Sequence, residues 1–293
     1  KAPEQNRLLN NGVAELSEDR SEAALRVLRY ELETFVCDGQ YAKGMETILD
    51  TFLRNLGSRT EQPGIWISGF YGSGKSHLAK MLRVLWTDFT FADGATARGL
   101  ARLPTRASDA LKELTTAGKR HGGLHAAAGK LGAGAGDNVR LALLGIVLKS
   151  RGLPEQYAQA QFVMWLRREG LLDTVEAQLQ AAGRRLAQEL PHLYVSPHLA
   201  KALLQAYPAF AESESAARAL LKAQYPQVTD ITSDQLIAAL TDALSEEDRF
   251  PPTLVVLDEG RLPDVLGAAS RELLGEASDH GVARDPLEEG ALR

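Results

Sequence analysis

Apolar residues recur at spacings of three and four through residues 17–37, where Leu25, Leu28, Leu32, Phe35 and Val36 share one helical face behind Glu18, Asp19 and Glu22. That spacing predicts a helix, stopped by Asp38 and Gly39. Tyr41, Met45, Ile48, Leu49, Phe52, Leu53 and Leu56 repeat the pattern, and Gly57 stands where a left-handed C-cap belongs. Beyond the turn residues Gln62, Pro63 and Gly64, the run Ile65, Trp66, Ile67 predicts a short strand. A glycine-rich loop follows. Leu78, Met81, Leu82 and Leu85 then mark one face of a helix from Lys75 to Trp86.

The stretch 106–136 is rich in Ala and Gly, with a strand expected around Gly123 to Ala128, although both residue types are poor strand formers. Val139 to Leu148 fits either helix or strand. From Pro154 to Leu244 the pattern is helical: Phe162, Val163 and Leu166 before Gly170; Leu171 to Leu190 before Pro191; Leu199 to Tyr207 before Pro208; Ala211 to Tyr225 before Pro226; and Leu236 to Leu244 behind a candidate N-cap, Ser233. Pro251 and Pro252 break the chain. Thr253 to Leu257 is a continuous β-branched and apolar run, the pattern of a strand buried on both faces of a parallel sheet, and it ends in Asp258 and Glu259. After it come a weak helix around Val265 to Leu274 and a polar tail. The organisation expected is therefore an α/β core with a parallel sheet and a large helical insertion. Residues 1–60 form an N-terminal helical segment, 61–150 the first part of the core, 151–250 the insertion, 251–260 the apolar strand and 261–293 a tail.

Composition narrows the class. With 293 residues, 44% hydrophobic and 24% charged, the chain can bury a full core without staples, which excludes a disordered, collagenous or rod-like protein. No apolar run approaches the roughly 20 residues that span a bilayer, and Lys1 to Asn11 is too polar for a signal sequence. The single cysteine, Cys37, excludes an intramolecular disulfide and a cysteine-based zinc site, so a reducing cytoplasm is the expected location. A net charge of −5 argues against a broadly basic surface coating nucleic acid, and no helix–turn–helix, zinc finger or basic arm is present. The chain opens on Lys1 rather than Met, so an upstream segment is allowed for.

The chemistry is concentrated in two places. Gly69, Phe70, Tyr71, Gly72, Ser73, Gly74, Lys75 and Ser76 match GxxxxGK[ST] at every fixed position, a match expected by chance in only about 1 to 2 percent of chains of this size. In that pattern glycines let the backbone wrap a phosphate, the helix N-terminus adds positive potential, Lys75 reaches the β and γ phosphates, and the Ser76 hydroxyl ligates Mg²⁺. The second place is the strand end, where Asp258 can hold the Mg²⁺ and Glu259 can polarise the attacking water. His77, in the first turn of the loop helix, fits a structural hydrogen bond better than catalysis. Phe70 and Tyr71 could stack on a base, but packing is the commoner fate of such rings. His121, His125, His192 and His198 have no ligand-spaced companions, and Arg167 with Arg168 and Arg184 with Arg185 read as solvated helix faces.

The segment Gly64 to Trp86, GIWISGFYGSGKSHLAKMLRVLW, resembles the phosphate-loop region of the large ATPases of bacterial BREX and Pgl phage-resistance systems, the BrxC and PglY family. The stretches DGQYAKGMETIL, HAAAGKLGAGAG and QFVMWLRREGLL are similar to the PglY side in particular. The resemblance covers most of residues 1–259; the phosphate loop is its specific part and the helices match more loosely. It implies a P-loop NTPase of the additional-strand, catalytic-glutamate type, akin to AAA+ and STAND proteins. ATP and Mg²⁺ would be bound by Gly69 to His77, with Asp258 as magnesium acid and Lys75 and Glu259 in catalysis. It also implies a PglZ-like alkaline-phosphatase-family partner and a DNA methyltransferase. DNA contact stays open, as does a homo-oligomer, the latter on fold analogy alone. Family proteins are longer and place a sensor strand between the phosphate-loop strand and the magnesium strand. Gly260 to Arg293 supplies none, so this chain is expected to be a fragment, or to lack segments, with a gap in its sheet. No sensor residue or arginine finger is assigned. The leading expectation is an ATPase driving or switching a defence complex; the alternative is a non-hydrolysing, nucleotide-dependent scaffold. A small-molecule kinase ranks third, because a glutamate beside the magnesium acid would waste ATP on water.

Overall fold

The computed structural model describes residues 21–56, 64–68, 72–131, 138–245 and 249–258. Gly57, Gly69, Phe70, Tyr71, Glu259 and the tail 261–293 lie outside the described residues. The architecture is mixed: many helices around a small parallel sheet.

Helix α1 (Glu22–Glu33) begins where the Ser21 side chain accepts from the Ala24 N–H, and Glu22 lies in the first turn. It is shorter than the apolar stripe implied. Phe35 is buried beyond its end, whereas Val36 is exposed and its backbone bridges Arg102. Buried Cys37 follows, its thiol pKa pushed up chiefly by burial. Helix α2 (Gly39–Asn55) runs alongside α3 (Lys75–Trp86): Tyr41 meets the residues preceding α3, and Phe52 stands edge-on to Trp86 with ring centroids 4.7 Å apart. The two helices thus advance in the same direction.

The short α4 (Ala97–Leu100) carries Arg98, which ties off helix ends. Its Nε donates to the Leu85 carbonyl at 2.7 Å and Nη2 to the Trp86 carbonyl at 2.8 Å, both in the last turn of α3, where carbonyls lack helical partners. Nη1 donates to the Leu111 carbonyl and to Thr115 Oγ1 of α5 (Thr105–Arg120). Helix α5 falls in the stretch where only a strand was expected; Ala107, Ala110, Leu111 and Leu114 supply its buried face.

Strand β1 (His125–Lys130) pairs in parallel with β2 (Thr253–Asp258), His125 opposite Thr253 and Lys130 opposite Asp258. β1 is made of small residues because helices approach both of its faces. Ala128 packs with Ala79 of α3 and with Val256. On the other face, a Cβ on Gly129 would lie 2.6 Å from Ile146 Cγ1 of α6 (Val139–Ser150). Val139 to Leu148 is thereby helix. The expected strand at Ile65 to Ile67 does not form: the segment belongs to no helix or strand, and Ile65 and Trp66 are exposed. A strand needs a hydrogen-bonded neighbour. Here a cavity of about 390 Å³ separates residues 65–68 from Leu254 to Leu257 of β2. Among the described residues the sheet has two strands.

The crossover from β1 to β2 passes through α6, α7 (Tyr157–Arg168), α8 (Leu172–Ala181), α9 (Leu186–Glu189), α10 (Pro197–Ala206), α11 (Glu214–Gln224) and α12 (Ser233–Leu244). The single helix expected from Leu171 to Leu190 is split at Gly183, whose φ is 71°. The cap of α12 is Thr232 rather than Ser233; with Gln235 it forms a reciprocal capping box. Leu144 and Leu148 of α6 join Phe162, Leu166, Leu203 and Leu236 in one apolar core. A separate core gathers Leu32, Met45, Leu49, Met81, Leu85, Trp86 and Leu111.

Candidate nucleotide site

Helix α3 begins abruptly. Gly72 and Gly74 have φ of 79° and 82°, a left-handed backbone that other residues adopt only at a cost, and Gly74 is the N-cap. Glycine at the N-cap has no side chain to cap the helix, and the Gly74 carbonyl accepts from the Leu78 N–H at 2.9 Å. The first amides of a helix have no intrahelical acceptor, and the macrodipole adds positive potential at this end, where Lys75 is the first helical residue. Left-handed residues preceding such a terminus form an amide concavity suited to an anion.

The sheet supplies the opposing side. Trp86, at the far end of α3, donates from Nε1 to the Pro252 carbonyl at 3.2 Å, just before β2 begins. At the near end Lys75 and Ser76 line the same cavity as Leu257. Helix α3 therefore runs antiparallel to β2, which brings the carboxyl end of that strand, at Asp258, toward the start of the helix. Crevices outside the carboxyl ends of parallel strands are where α/β proteins bind ligands.

Of the residues expected at the site, the backbone brings Gly72, Ser73, Gly74, Lys75, Ser76 and His77 to the start of α3, with β2 ending at Asp258. Gly69, Phe70, Tyr71 and Glu259 fall outside the described residues. A serine hydroxyl and a carboxylate are hard oxygen donors, the kind Mg²⁺ prefers, and a lysine in the first turn of a helix behind a glycine-rich loop is a phosphate-binding set. The residue types therefore fit ATP with Mg²⁺.

His77 turns inward. It stands edge-on to Phe35, ring centroids 5.5 Å apart, and burial lowers its pKa below the usual 6.5, with Lys80 adding to that effect and Glu31 opposing it. Glu31, buried on α1, pairs with Lys80 of α3 at 2.7 Å, pinning α1 to the loop helix. Sequence reasoning missed this pair, since Glu31 looks like any polar position of an amphipathic helix. It also missed Tyr41, read only as a stripe residue, whose hydroxyl donates to the Ser73 carbonyl.

Another histidine, His125, contacts Ser150. Ser150 donates its hydroxyl proton to the Val147 carbonyl, so at 2.8 Å the His125 Nε2 must be the donor to Ser150 Oγ. His121, His192 and His198 are exposed, and among the described residues no group of His, Cys, Asp and Glu is arranged to hold a metal. No described helix is long and apolar enough to cross a membrane. No known family model matches the chain, and no solved structure matches it.

Proposed function

We propose that this chain binds ATP with Mg²⁺ at the start of α3 and hydrolyses it, as the P-loop ATPase part of a cytoplasmic phage-defence complex of the BREX and Pgl kind. The observation that carries the reading is the N-terminus of α3 behind left-handed Gly72 and Gly74, with Lys75 and Ser76 as its first residues and the carboxyl end of β2 across the crevice. The amides of the loop and of the first turn would hold the phosphates, and Lys75 would neutralise charge developing on the β and γ oxygens. Ser76 and Asp258 would hold the Mg²⁺, which supplies charge neutralisation between the β and γ phosphates. Glu259, the next residue along the chain, would take the proton of the attacking water. A PglZ-like phosphatase-family protein and the DNA methyltransferase are the partners this reading names, resting on the resemblance of the phosphate loop.

The test is Mg-ATP binding by calorimetry together with steady-state turnover, for the wild type, Lys75→Ala and Glu259→Gln. Loss of the lysine should weaken binding by about tenfold or more, the equivalent of one charge-assisted hydrogen bond. Glu259→Gln should bind as the wild type does but turn over about 100-fold more slowly or worse. Undiminished turnover in that variant would remove Glu259 from the mechanism. Binding without turnover in the wild type, with and without the partners, would transfer the reading to a non-hydrolysing scaffold.

A further inference from the structure

Tyr41 lies on α2, outside the phosphate-loop motif, yet its hydroxyl donates to the Ser73 carbonyl inside it. We infer that Tyr41 is a positioning residue for the phosphate loop: it sets the orientation of the Ser73–Gly74 peptide so that the Gly74 N–H faces the anion. This rests on the nucleotide reading of the site above. The peptide bond is planar and, like every one described here, trans, so its C=O and N–H point in opposite directions. A donor held on the carbonyl side therefore turns the amide of Gly74 away from α2.

Two further observations bear on the same peptide. A Cβ at position 74 would displace the Tyr41 hydroxyl from this contact, and the φ of 82° favours glycine there. The phenol is also mounted rigidly. Its helix is held against the core by buried Met45, Ile48 and Leu49, and Phe52 fixes the other end of α2 against Trp86. Glycines give a phosphate loop its shape but leave it free to flip its peptides, and every flip would turn a carbonyl toward the phosphate. A hydroxyl on an adjacent helix supplies the restraint that glycine lacks, before any ligand arrives.

The experiment compares the whole chain as wild type, Tyr41→Phe and Tyr41→Ala. Binding of Mg-ATP and of inorganic pyrophosphate, a probe without base or sugar, is measured by calorimetry. Amide hydrogen exchange over residues 72–76 is measured without ligand. Tyr41→Phe keeps the packed ring and loses only the hydroxyl. It should weaken ATP and pyrophosphate by the same factor, about tenfold, as expected for one lost hydrogen bond, and should speed exchange in the loop while leaving the thermal midpoint near that of the wild type. Wild-type affinities and exchange in Tyr41→Phe would overturn the inference. So would loss of ATP but not pyrophosphate affinity confined to Tyr41→Ala, which would make the ring a base-stacking surface instead. If the wild type binds neither probe, the nucleotide reading fails. Loop exchange then still decides the restraint, faster exchange in Tyr41→Phe sustaining it and unchanged exchange ending it.

Discussion

His77 shows how little a residue's place in a motif says about its protonation. It is the third residue of α3, yet burial against Phe35 lowers its pKa below 6.5 while Glu31 and Lys80, the charged groups beside it, pull in opposite directions. In the folded protein the ring is therefore neutral under conditions where the unfolded chain already takes up a proton. The unfolded state binds more protons between 6.5 and the lowered folded value, so stability is complete above pH 6.5 and falls as the pH drops through that window. Thermal midpoints measured across it should decline toward acid in the wild type and decline less in His77→Phe. Equal slopes in the two proteins would show that the imidazole carries no proton linkage.

At the scale of elements, the ion pair between Glu31 and Lys80 joins α1 to the helix that carries the candidate site, with side-chain exposures of only 2% and 13%. Such a pair contributes little net stability but is costly to break from one side, because the surviving charge is left buried. Glu31→Ala should cost about 3 to 5 kcal/mol in denaturant unfolding. The double variant Glu31→Leu with Lys80→Met should recover most of that loss. A double variant as unstable as the single one would mean that the loss came from packing rather than charge. Elements also differ in how openly the sequence announces them. Helix α3 and the run of β2 were legible, since each has a continuous local pattern. Helix α5 was hidden in an Ala- and Gly-rich stretch, and the helix expected from Leu171 to Leu190 breaks at a single left-handed glycine, Gly183.

For the whole molecule, the division of apolar residues into two cores is the feature with measurable consequences. Trp86 is buried in the core around α3, whereas Trp165 packs with Phe162 and Phe210 among the crossover helices, and Trp66 is exposed. With Trp66→Phe as background, Trp165→Phe leaves Trp86 as reporter and Trp86→Phe leaves Trp165. A ligand that binds only the folded state stabilises what it contacts. Mg-ATP should therefore raise the unfolding midpoint seen by Trp86 by several degrees at about 100 times its Kd, and raise that seen by Trp165 by less. Equal shifts would make the two cores one cooperative unit.

The sequence by itself determined the start of α3 at Lys75, the apolar run of β2 and most of the crossover helices, because helix hydrogen bonds and caps connect residues three or four apart. The glycine-rich loop was likewise legible as a candidate phosphate site from its spacing alone. Tertiary structure decided the rest. β1 could be placed only loosely from HAAAGK, since its small residues make sense only when α3 and α6 close on its two faces. Ile65 to Ile67 has the composition of a strand but no neighbour to pair with among the described residues, and pairing is made by residues distant in the chain. The contact from Tyr41 to Ser73 and the ion pair from Glu31 to Lys80 cross between helices for the same reason. Interactions that close within one helical turn leave a period in the sequence, whereas those that close through space leave only a residue type.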